Sequence, residues 1–281
     1  MADATPALSY AKLRPGRIVA WTVLLIGGIV MVTPLLFMFS TSLKSAGQVY
    51  DLRVVPADPT FGNYIKVLSD GRFARWFFNS ALIATIVTLS CLFFDSLVAY
   101  VLAKFRFPGR YVVFLAILST LMIPTEMLVI PWYLMASKLG WIDTYLGIMF
   151  PGLISAFGVF LMKQFFETVP NDFLEAARID GLNEFMIWWK VALPLVAPAL
   201  SALAIFTFLA NWTAFFWPLI VTTDQSLYTL PVGLSSFAVE QSIQWEMIMT
   251  GAALATIPTL MIFLFFQRYI VRGVMLAGVK G

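Results

Sequence analysis

The stretch IVAWTVLLIGGIVMVTPLLFMFSTSL, residues 18–43, contains no Asp, Glu, Lys or Arg. About 20 consecutive apolar residues are enough for a helix to cross the hydrocarbon core of a bilayer. A helix also satisfies the backbone hydrogen bonds that lipid cannot. A secretory signal is the alternative, but the stretch exceeds the roughly 7–15 residues of a signal core and no clear A-x-A site follows. We therefore predict a retained membrane-spanning helix.

Further runs of similar length follow along the chain. Five more segments lack charge or, in one case, contain only Glu126: 76–94, 111–137, 144–162, 191–223 and 247–267. The 281 residues are 60% hydrophobic and 12% charged, against about 25% charged in soluble domains. The sequence thus predicts an all-α integral membrane protein with six transmembrane helices, at 17–41, 76–102, 111–136, 145–167, 193–221 and 247–270.

The residue types limit the possible chemistry. The chain has one cysteine, Cys91, and no histidine, which excludes a disulfide framework, a histidine-ligated metal site and a histidine-based catalytic triad. No G-x-x-x-x-G-K-[ST] sequence occurs, so the chain has no P-loop of its own for ATP phosphates. An intramembrane enzyme would need a nucleophile–base or metal set, and none can be assembled. We expect no catalytic residue, cofactor or metal in this chain.

The positions of Lys and Arg predict the orientation in the membrane. With the N-terminus in the cytoplasm, twelve of the 18 basic residues fall in cytoplasmic segments, as the positive-inside rule requires. Both termini are then cytoplasmic, and the net charge of +3 reflects topology rather than nucleic-acid binding. Five tryptophans would lie near the outer boundary as an aromatic belt: Trp76, Trp132, Trp141, Trp217 and Trp245.

The connections between the predicted spans divide the chain into segments. The division is 1–16, a cytoplasmic segment; 17–41, the first span; 42–75, an outer loop; 76–270, the membrane core; and 271–281, a cytoplasmic tail. Within the core, 222–246 is a second outer loop and 168–192 is the largest cytoplasmic connection. No internal repeat is visible, which weakens the inverted-repeat interpretation typical of secondary transporters.

The cytoplasmic connection reads VPNDFLEAARIDGLNEFMIWWKVALPLVAP, residues 169–198. Asp172 is a plausible N-cap for a short helix, and Gly181 is placed to end that helix at C′. Asn183 can cap a second helix to about Val191, after which two prolines open the next span. An amphipathic helix resting on lipid headgroups is the alternative, but such helices favour Lys and Arg over acidic residues.

Within this connection, EAARIDGLNEFMIWWKVALP resembles the EAA motif of ABC-importer permeases. The matching positions are Glu175, Ala176, Ala177, Gly181, Val191, Leu193 and Pro194, with valine in place of the usual isoleucine. Further segments resemble the second permease subunit of maltose-type carbohydrate importers, among them NSALIATIVTL, AKFRFPGR and YTLPVGLSSF. The resemblance covers roughly residues 75–281. In NWTAFFWPL the family often has asparagine or an acid where Thr213 and Ala214 stand.

The resemblance implies a bacterial inner-membrane permease for a carbohydrate or its derivative. Its partners would be a homologous permease forming a heterodimer, two ABC ATPase subunits that hold ATP and Mg, and a periplasmic or lipid-anchored solute-binding protein. The EAA helix would be a coupling helix seated in an ATPase cleft. Paired alanines would allow close packing, and the exposed acids Glu175 and Asp180 would face the ATPase. The tail with Arg268 and Arg272 either reaches the ATPase interface or is a basic topology anchor.

Polar residues inside the predicted spans are candidates for the translocation pathway, because ionisable groups at mid-bilayer are costly. Asp95 lies on a stripe with Thr88, Cys91 and Ala99, and Glu126 stands between Pro124 and Pro131. Each is either structural or functional. A second stripe can carry Ser201, Thr207, Asn211 and Phe215, with Trp212 and Trp217 beside it. Hydroxyl, amide and aromatic groups of this kind bind sugars, although helix packing uses small polar residues too.

Two further interpretations concern transport as a whole. An ion-gradient-driven transporter or channel would use Asp95 and Glu126 as ion sites, against the EAA spacing. The outer loops, and residues 235–242 in particular, are large enough to dock a solute-binding protein.

Overall fold

The computed structural model describes residues 15–238 and 243–278, with side chains as far as Phe265. The helices in chain order are α1 (Pro15–Ser42), α2 (Gly62–Ser69), α3 (Gly71–Lys104), α4 (Arg110–Thr120), α5 (Val129–Lys138), α6 (Tyr145–Met149), α7 (Ala156–Thr168), α8 (Asn171–Ile179), α9 (Glu184–Ile187), α10 (Leu193–Leu195), α11 (Ala197–Trp212), α12 (Phe216–Val221), α13 (Leu230–Ser236) and α14 (Trp245–Gly278). No strand occurs within the described ranges. The prediction of an all-α protein is confirmed.

Three of these helices are long and apolar enough to cross a membrane unbroken: α1, α3 and α14. Three pairs qualify only together, because each is bent at a short break: α4 with α5, α6 with α7, and the segment Glu184–Leu195 with α11. Counting each pair as one span gives six within the described residues. This agrees with the six predicted spans.

The break that the prolines predict within the helix at 111–136 is confirmed, whereas the prediction of one continuous helix at 193–221 is wrong. The α4–α5 pair bends by 92°, and Pro124 precedes the 3₁₀ turn Thr125–Leu128 after the break. Pro131 falls in the first turn of α5, where proline costs no hydrogen bond, so it does not break the helix.

The segment predicted as one helix at 193–221 contains two breaks. The first is a bend of 86° at Val196, directly before α11. Pro198 lies in the first turn of α11 and has no N–H to bond the preceding turn. Pro194 instead lies inside α10, so only Pro198 opens the span. The second break separates α11 from α12 at residues 213–215, where no proline marks it.

The remaining differences from the predicted boundaries lie at the helix ends. The helix predicted from residue 76 begins at Gly71, inside the predicted outer loop 42–75. The last helix continues through the predicted tail as far as Gly278. The predicted segment 1–16 lies outside the described residues up to position 14, and residues 279–281 lie outside them as well. The side chains of Arg268 and Arg272 are also outside the description.

The core is organised around α3, which is about 50 Å long at 1.5 Å per residue. Both α7 and α11 pack along it, and α14 links α11 to the outlying α1. One core cluster surrounds Tyr100, Phe166 and Trp188 near the C-terminal end of α3. Another surrounds Trp76 and Trp212 near its N-terminal end.

A short segment crosses the N-terminal end of α3, and we call residues 222–230 the outer latch. Asn79, fully buried, donates through Nδ2 to the carbonyls of Ser226 and Tyr228, both at 2.9 Å. Its Oδ1 accepts from the Tyr145 hydroxyl at 2.7 Å. Trp76 Nε1 donates to the Gln225 carbonyl at 3.0 Å. The outer latch is therefore held to α3 by buried polar side chains.

Candidate functional site

The EAA motif lies at the opposite end of α3 from the outer latch, within residues 170–195, which we call the EAA segment. Lys104, the last residue of α3, donates through Nζ to the Val169 carbonyl and, at 3.1 Å, to Asn171 Oδ1. Tyr100 donates its hydroxyl to Glu184 Oε2 at 3.2 Å. The EAA segment is thus tied by both its helical parts to the C-terminal end of one long helix.

The first part of the EAA segment is α8, which begins at Asn171 after Pro170. The prediction that Asp172 caps this helix is wrong, since Asp172 lies in its first turn and Pro170 occupies the cap position. An acid in the first turn still favours the helix through the dipole. Proline has no N–H to lose at this position and its φ is fixed.

The end of α8 follows the prediction for Gly181. This residue has a φ of +86°, and its N–H bonds the Arg178 carbonyl at 3.0 Å, while Leu182 N–H bonds the Ala177 carbonyl at 3.1 Å. These two bonds define a Schellman motif, which satisfies carbonyls left free at a helix end. A left-handed residue at C′ reverses the chain direction within a few residues, so α8 and α9 meet at an angle.

The second part begins at Asn183, whose Oδ1 accepts from Met186 N–H at 2.9 Å. The predicted N-cap is confirmed. The helix does not end near Val191 as predicted, but continues as a π-helical turn over Trp188–Ala192 and then as α10. Such π turns are frequent at functional sites. Leu193 is buried and Pro194 is exposed.

The structure separates the two alanines of the motif and corrects their expected common face. Ala177 is 6% exposed and packs with Leu174 into the core cluster of the membrane bundle. Ala176 and Glu175 are exposed on the other side of α8, as is Asp180. Only Ala176 therefore leaves a shallow spot for another protein, whereas Ala177 lets α8 lie close to its own bundle.

The EAA segment also exposes several large apolar side chains outside the predicted spans. Ile179 is 87% exposed and Phe173 is 53% exposed. Three large side chains of the second part are exposed as well: Phe185, Met186 and Trp189. Large apolar side chains exposed outside the bilayer are expected where lipid or another protein covers them. Glu175 and Asp180 stand among these residues, which fits a protein partner better than an anionic lipid surface.

A salt bridge connects the two parts of the EAA segment across Gly181. Arg178 Nε lies 2.7 Å from Glu184 Oε1, and a second nitrogen of the same guanidinium contacts Oε2 at 3.3 Å. The hydrogen bond to Glu184 raises the pKa of Arg178 above its ordinary value. The pair fixes the angle between α8 and α9, and the sequence analysis did not identify it, because residues six apart meet only when the turn at Gly181 is known.

Asp95 lies on α3 without any exposed surface. Its Oδ1 accepts from Ser155 N–H at 2.9 Å, directly before α7. Its Oδ2 has no hydrogen-bond partner and faces Gly158, where an added Cβ would come within 2.0 Å. The carboxyl group satisfies the free backbone at the α6–α7 break, which is the structural alternative left open by the sequence. The rest of its stripe is buried too: Thr88, Cys91 and Ala99.

Glu126 lies in the 3₁₀ turn at the α4–α5 break and is exposed. No hydrogen bond or ion pair joins it to Asp95 in the described part of the chain. The alternative in which Asp95 and Glu126 serve as ion sites stays a prediction.

The residues predicted on the stripe of α11 lie in different surroundings. Asn211 lines a cavity of ≈ 180 Å³ formed between three broken helices. Trp212 is buried, donates to the Ala255 carbonyl at 3.1 Å and stacks on Phe208, so it is a core residue. Phe215 lies beyond the end of α11 and is exposed, which makes the predicted continuous stripe wrong. Thr207 is partly exposed, and its carbonyl accepts from Asn211 Nδ2 at 2.8 Å.

Comparisons with known proteins agree with this architecture. Residues 95–276 match the family model described as "Binding-protein-dependent transport system inner membrane component". The arabinooligosaccharides transport system permease protein AraQ of Bacillus subtilis (strain 168) is 35% identical over 253 residues, which cover 88% of this chain and 90% of that protein. The sn-glycerol-3-phosphate transport system permease protein UgpE of Agrobacterium fabrum is 33% identical over 272 residues, covering 92% and 96%.

Solved structures extend the agreement to three dimensions. A chain of a bacterial ABC transporter involved in the import of the acidic polysaccharide alginate aligns with a TM-score of 0.81 and 28% identity, covering 94% of this chain and 99% of that one. A chain from a bacterial alginate ABC transporter in complex with an alginate pentasaccharide-bound periplasmic protein aligns at 0.66 with 13% identity, over 91% and 96%. At that identity the second likeness supports the fold alone.

Proposed function

Because this chain belongs to the family of binding-protein-dependent transport system inner membrane components, we propose that it moves a carbohydrate or a carbohydrate derivative into the cell. The named substrates of its relatives support this class, since they are arabinooligosaccharides, sn-glycerol 3-phosphate and alginate. Within this class the named substrates of the relatives differ in charge and size. The family is one of transport permeases rather than enzymes.

The observation that carries the coupling role is the exposed surface of the EAA segment. Ile179 and Phe173 are exposed, and Glu175 and Asp180 provide carboxylates beside them. We infer that an ATPase subunit covers this surface, with the apolar side chains in its cleft and the acids paired to basic or backbone groups. ATP and Mg would be bound by that subunit, because this chain has no P-loop.

Coupling also requires that a movement of the EAA segment reaches the membrane helices. Lys104 and Tyr100 connect the segment to α3, and Leu193 with Pro194 leads into α11 through the bend at Val196. Packed helices transmit displacement as rigid bodies. Closure of two ATPases would therefore tilt α3 and α11 and change access to the space between this chain and a second, homologous permease.

The remaining partners follow from the same topology. We propose that both termini and the EAA segment face the cytoplasm of a bacterial cell, with the outer latch on the periplasmic side. A periplasmic or lipid-anchored binding protein would then deliver substrate near residues 42–75 and 222–246. Of the loop 235–242, residues 239–242 lie outside the described part of the chain. We expect its deletion to abolish stimulation of ATP hydrolysis by the binding protein.

The test is uptake into proteoliposomes that contain the whole complex with its own partner subunits. We expect uptake of a carbohydrate that requires ATP and persists when ionophores dissipate all ion gradients. Uptake that follows a proton or sodium gradient without ATP would overturn the proposal in favour of an ion-driven transporter.

A second measurement addresses contact with the ATPase. The native Cys91 is buried, so an exposed Ile179→Cys should be the only reactive thiol in the chain. We expect a bifunctional cross-linker at this thiol to capture the ATPase subunit. Failure to capture it in an active complex would contradict the coupling role of the EAA segment.

A further inference from the structure

The cavity beside Asn211 is the place where the three helix breaks in the outer part of the bundle meet. Thr125 follows the α4–α5 break, Gly152 precedes the α6–α7 break, and Asn211 and Ala214 flank the α11–α12 break, and all four line the cavity. Non-helical backbone at membrane depth is tolerated only when it is buried in protein or lines a water-filled cavity. Broken helices in transporters typically surround the substrate site for this reason.

One wall of the cavity carries a hydroxyl group without a use inside the protein. Thr229 is 1% exposed, lines the cavity, and its Oγ1 has no hydrogen-bond partner. It occupies the N-cap position of α13, yet its side chain accepts no capping bond. A buried hydroxyl without a partner is costly unless something else satisfies it. Asn211 provides a hydrogen-bond acceptor in the same cavity. Its Nδ2 is bonded to the Thr207 carbonyl, which leaves its Oδ1 available to accept.

The remaining lining is mostly apolar and includes two aromatic side chains. Trp132 and Trp217 both line the cavity, and their rings meet edge to face with centroids 5.7 Å apart and an angle of 76°. Trp217 Nε1 donates to the Gly147 carbonyl at 3.0 Å, which fixes the orientation of its ring. Aromatic walls with a few placed polar groups are typical of small-ligand sites. The C–H face of a sugar ring packs well on such walls, while its hydroxyls reach the polar groups.

The lack of charged side chains in the cavity lining favours uncharged carbohydrates over anionic ones. No Asp, Glu, Lys or Arg lines it, and the nearest acid in sequence, Glu126, follows the lining residue Thr125. An anionic sugar acid or sugar phosphate inside it would lack any cationic partner from this chain. The volume of ≈ 180 Å³ lies below the roughly 300–1,000 Å³ of drug-sized pockets, so the cavity has room for one sugar unit rather than an oligosaccharide.

We propose that this cavity binds one uncharged sugar unit of the transported substrate, with Thr229 and Asn211 bonding its hydroxyls and Trp132 and Trp217 covering its ring. The inference rests on the proposed function and narrows its substrate class to neutral saccharides. Thr229 is a binding residue on the path through the membrane, after release from the binding protein. It therefore affects how much sugar crosses per ATP hydrolysed rather than the capture of sugar from solution.

The experiment uses the whole complex in proteoliposomes, with its binding protein and three labelled probes: an arabinooligosaccharide, sn-glycerol 3-phosphate and an alginate oligosaccharide. The variant is Thr229→Val, which removes the hydroxyl at nearly constant shape. The control is Thr222→Val, a buried threonine whose hydroxyl is already bonded to the Pro218 carbonyl at 2.6 Å and does not line the cavity. A third variant, Thr229→Ser, restores the hydroxyl.

We expect wild-type uptake of the neutral probe and of neither anionic one. Thr229→Val should lower the sugar transported per ATP by roughly fivefold, the effect of one lost hydrogen bond, while Thr222→Val leaves the ratio unchanged and Thr229→Ser recovers it. The thermal midpoint of Thr229→Val should stay unchanged or rise, because an unsatisfied hydroxyl has been removed. A threonine with a merely structural role would lower that midpoint without changing the ratio.

The contrary outcomes distinguish a failure of the sugar site from a failure of the proposed carbohydrate transport. If the neutral probe is transported but Thr229→Val and wild type have the same ratio, the sugar site is overturned and the carbohydrate function remains. If only an anionic probe is transported, the neutral class is overturned. If no carbohydrate that its binding protein captures enters with ATP, the proposed carbohydrate function is itself overturned.

Discussion

The outer latch and the EAA segment lie at opposite ends of α3 and differ in whether they expose large apolar side chains. The outer latch spans residues 222–230 and exposes no large apolar side chain. Its backbone carbonyls accept hydrogen bonds from Trp76 and Asn79, and Ser80 accepts from its Leu230 N–H at 2.8 Å. The EAA segment instead exposes Ile179 and Phe173.

This difference indicates which of the two segments has its groups satisfied within the chain itself. Polar groups that are satisfied within the chain need no partner, and burying them against another protein brings little gain. Exposed apolar side chains outside the bilayer gain free energy only when another surface covers them. The EAA segment therefore exposes apolar side chains that a partner would cover, whereas the polar groups of the outer latch are satisfied within the chain.

The sharpest test of this comparison is an acid placed on the EAA segment. We expect Ile179→Asp to lower ATP-dependent uptake at least tenfold, because a carboxylate would be buried without a partner in the ATPase interface. The fold of the chain itself should not change, since Ile179 is 87% exposed. The measurement is uptake in membrane vesicles together with co-purification of the ATPase subunit.

The control for this variant is Ile65→Asp on α2, a side chain 68% exposed and remote in sequence from the EAA segment. It should retain the ATPase subunit fully. Equal loss of the ATPase from both variants would show that exposed apolar residues at the two ends serve the same purpose, and the comparison would fail.

The second prediction concerns the outer latch. Asn79→Leu removes two donors and one acceptor from a fully buried position, and leaves their partners unsatisfied. We expect a loss of about 2–4 kcal/mol in the free energy of unfolding, measured as a lower thermal midpoint in detergent. Ser69→Ala, which removes an exposed hydroxyl bonded within α2, should change it little. If Asn79→Leu is as stable as wild type, the outer latch is held by packing instead of hydrogen bonds.

The third prediction compares a glycine from each end. Gly181 has a φ of +86° and Gly71 does not have a positive φ, while an added Cβ meets nothing within 4 Å at either position. Gly181→Ala should cost about 1–2 kcal/mol of stability, because an L-residue is strained in the left-handed region. Gly71→Ala should be neutral or slightly stabilising, since alanine favours the helix.

Both alanine variants are measured by thermal unfolding, and coupling is read as ATP hydrolysed per substrate transported. We expect Gly181→Ala to raise that ratio as well, because the angle between α8 and α9 changes. Equal thermal midpoints for the two variants would contradict the strained turn.

The smallest effect is expected at Asp143, which joins the loop before α6 to the outer latch. Its carboxylate accepts from Thr223 N–H at 2.6 Å and Asp224 N–H at 2.9 Å, and from the Thr223 hydroxyl. The Thr223 hydroxyl, followed by the Asp224 N–H, lowers the pKa of Asp143 below its ordinary value of 3.8. The carboxylate therefore contributes stability above pH 3.8 that is lost as the pH falls through the lowered pKa.

Asp143→Asn should accordingly cost about 1 kcal/mol or less at neutral pH, because the site is exposed to solvent. The difference between variant and wild type should shrink below pH 3.8. Thermal unfolding at pH 7 and at the lowest pH the protein tolerates measures both values. A difference independent of pH would mean that the charge of Asp143 plays no part in holding the outer latch.

Much of the EAA segment was predictable because its signals are local. Gly181 ends α8 in the left-handed conformation, and Asn183 caps α9, each through bonds within four or five residues of itself. The error at Asp172 arose between neighbouring residues that can both begin a helix. The burial of Ala177 could not be predicted, because it depends on which face of α8 meets the core cluster around Trp188 and Phe166.

The candidate residues inside the membrane were less predictable. Asp95 was recognisable as an unusual acid, but its bond to Ser155 joins residues 60 positions apart. Trp212 matched a sugar-binding pattern and is instead buried against α14. The place of Thr229 and Trp132 in the cavity could not be predicted, since a single threonine at a helix start and a tryptophan near a membrane boundary are ordinary features.

The sequence by itself determined that this chain is helical, crosses the membrane and carries the EAA motif in one connection between spans, because transfer free energy and helix signals are properties of short stretches. Only the tertiary structure decided where the spans break and which side chains those breaks bring together. A helix can break at residues 121–124 or 213–215 only where groups from distant elements or a cavity satisfy the released backbone. The availability of such groups is a property of the packed bundle.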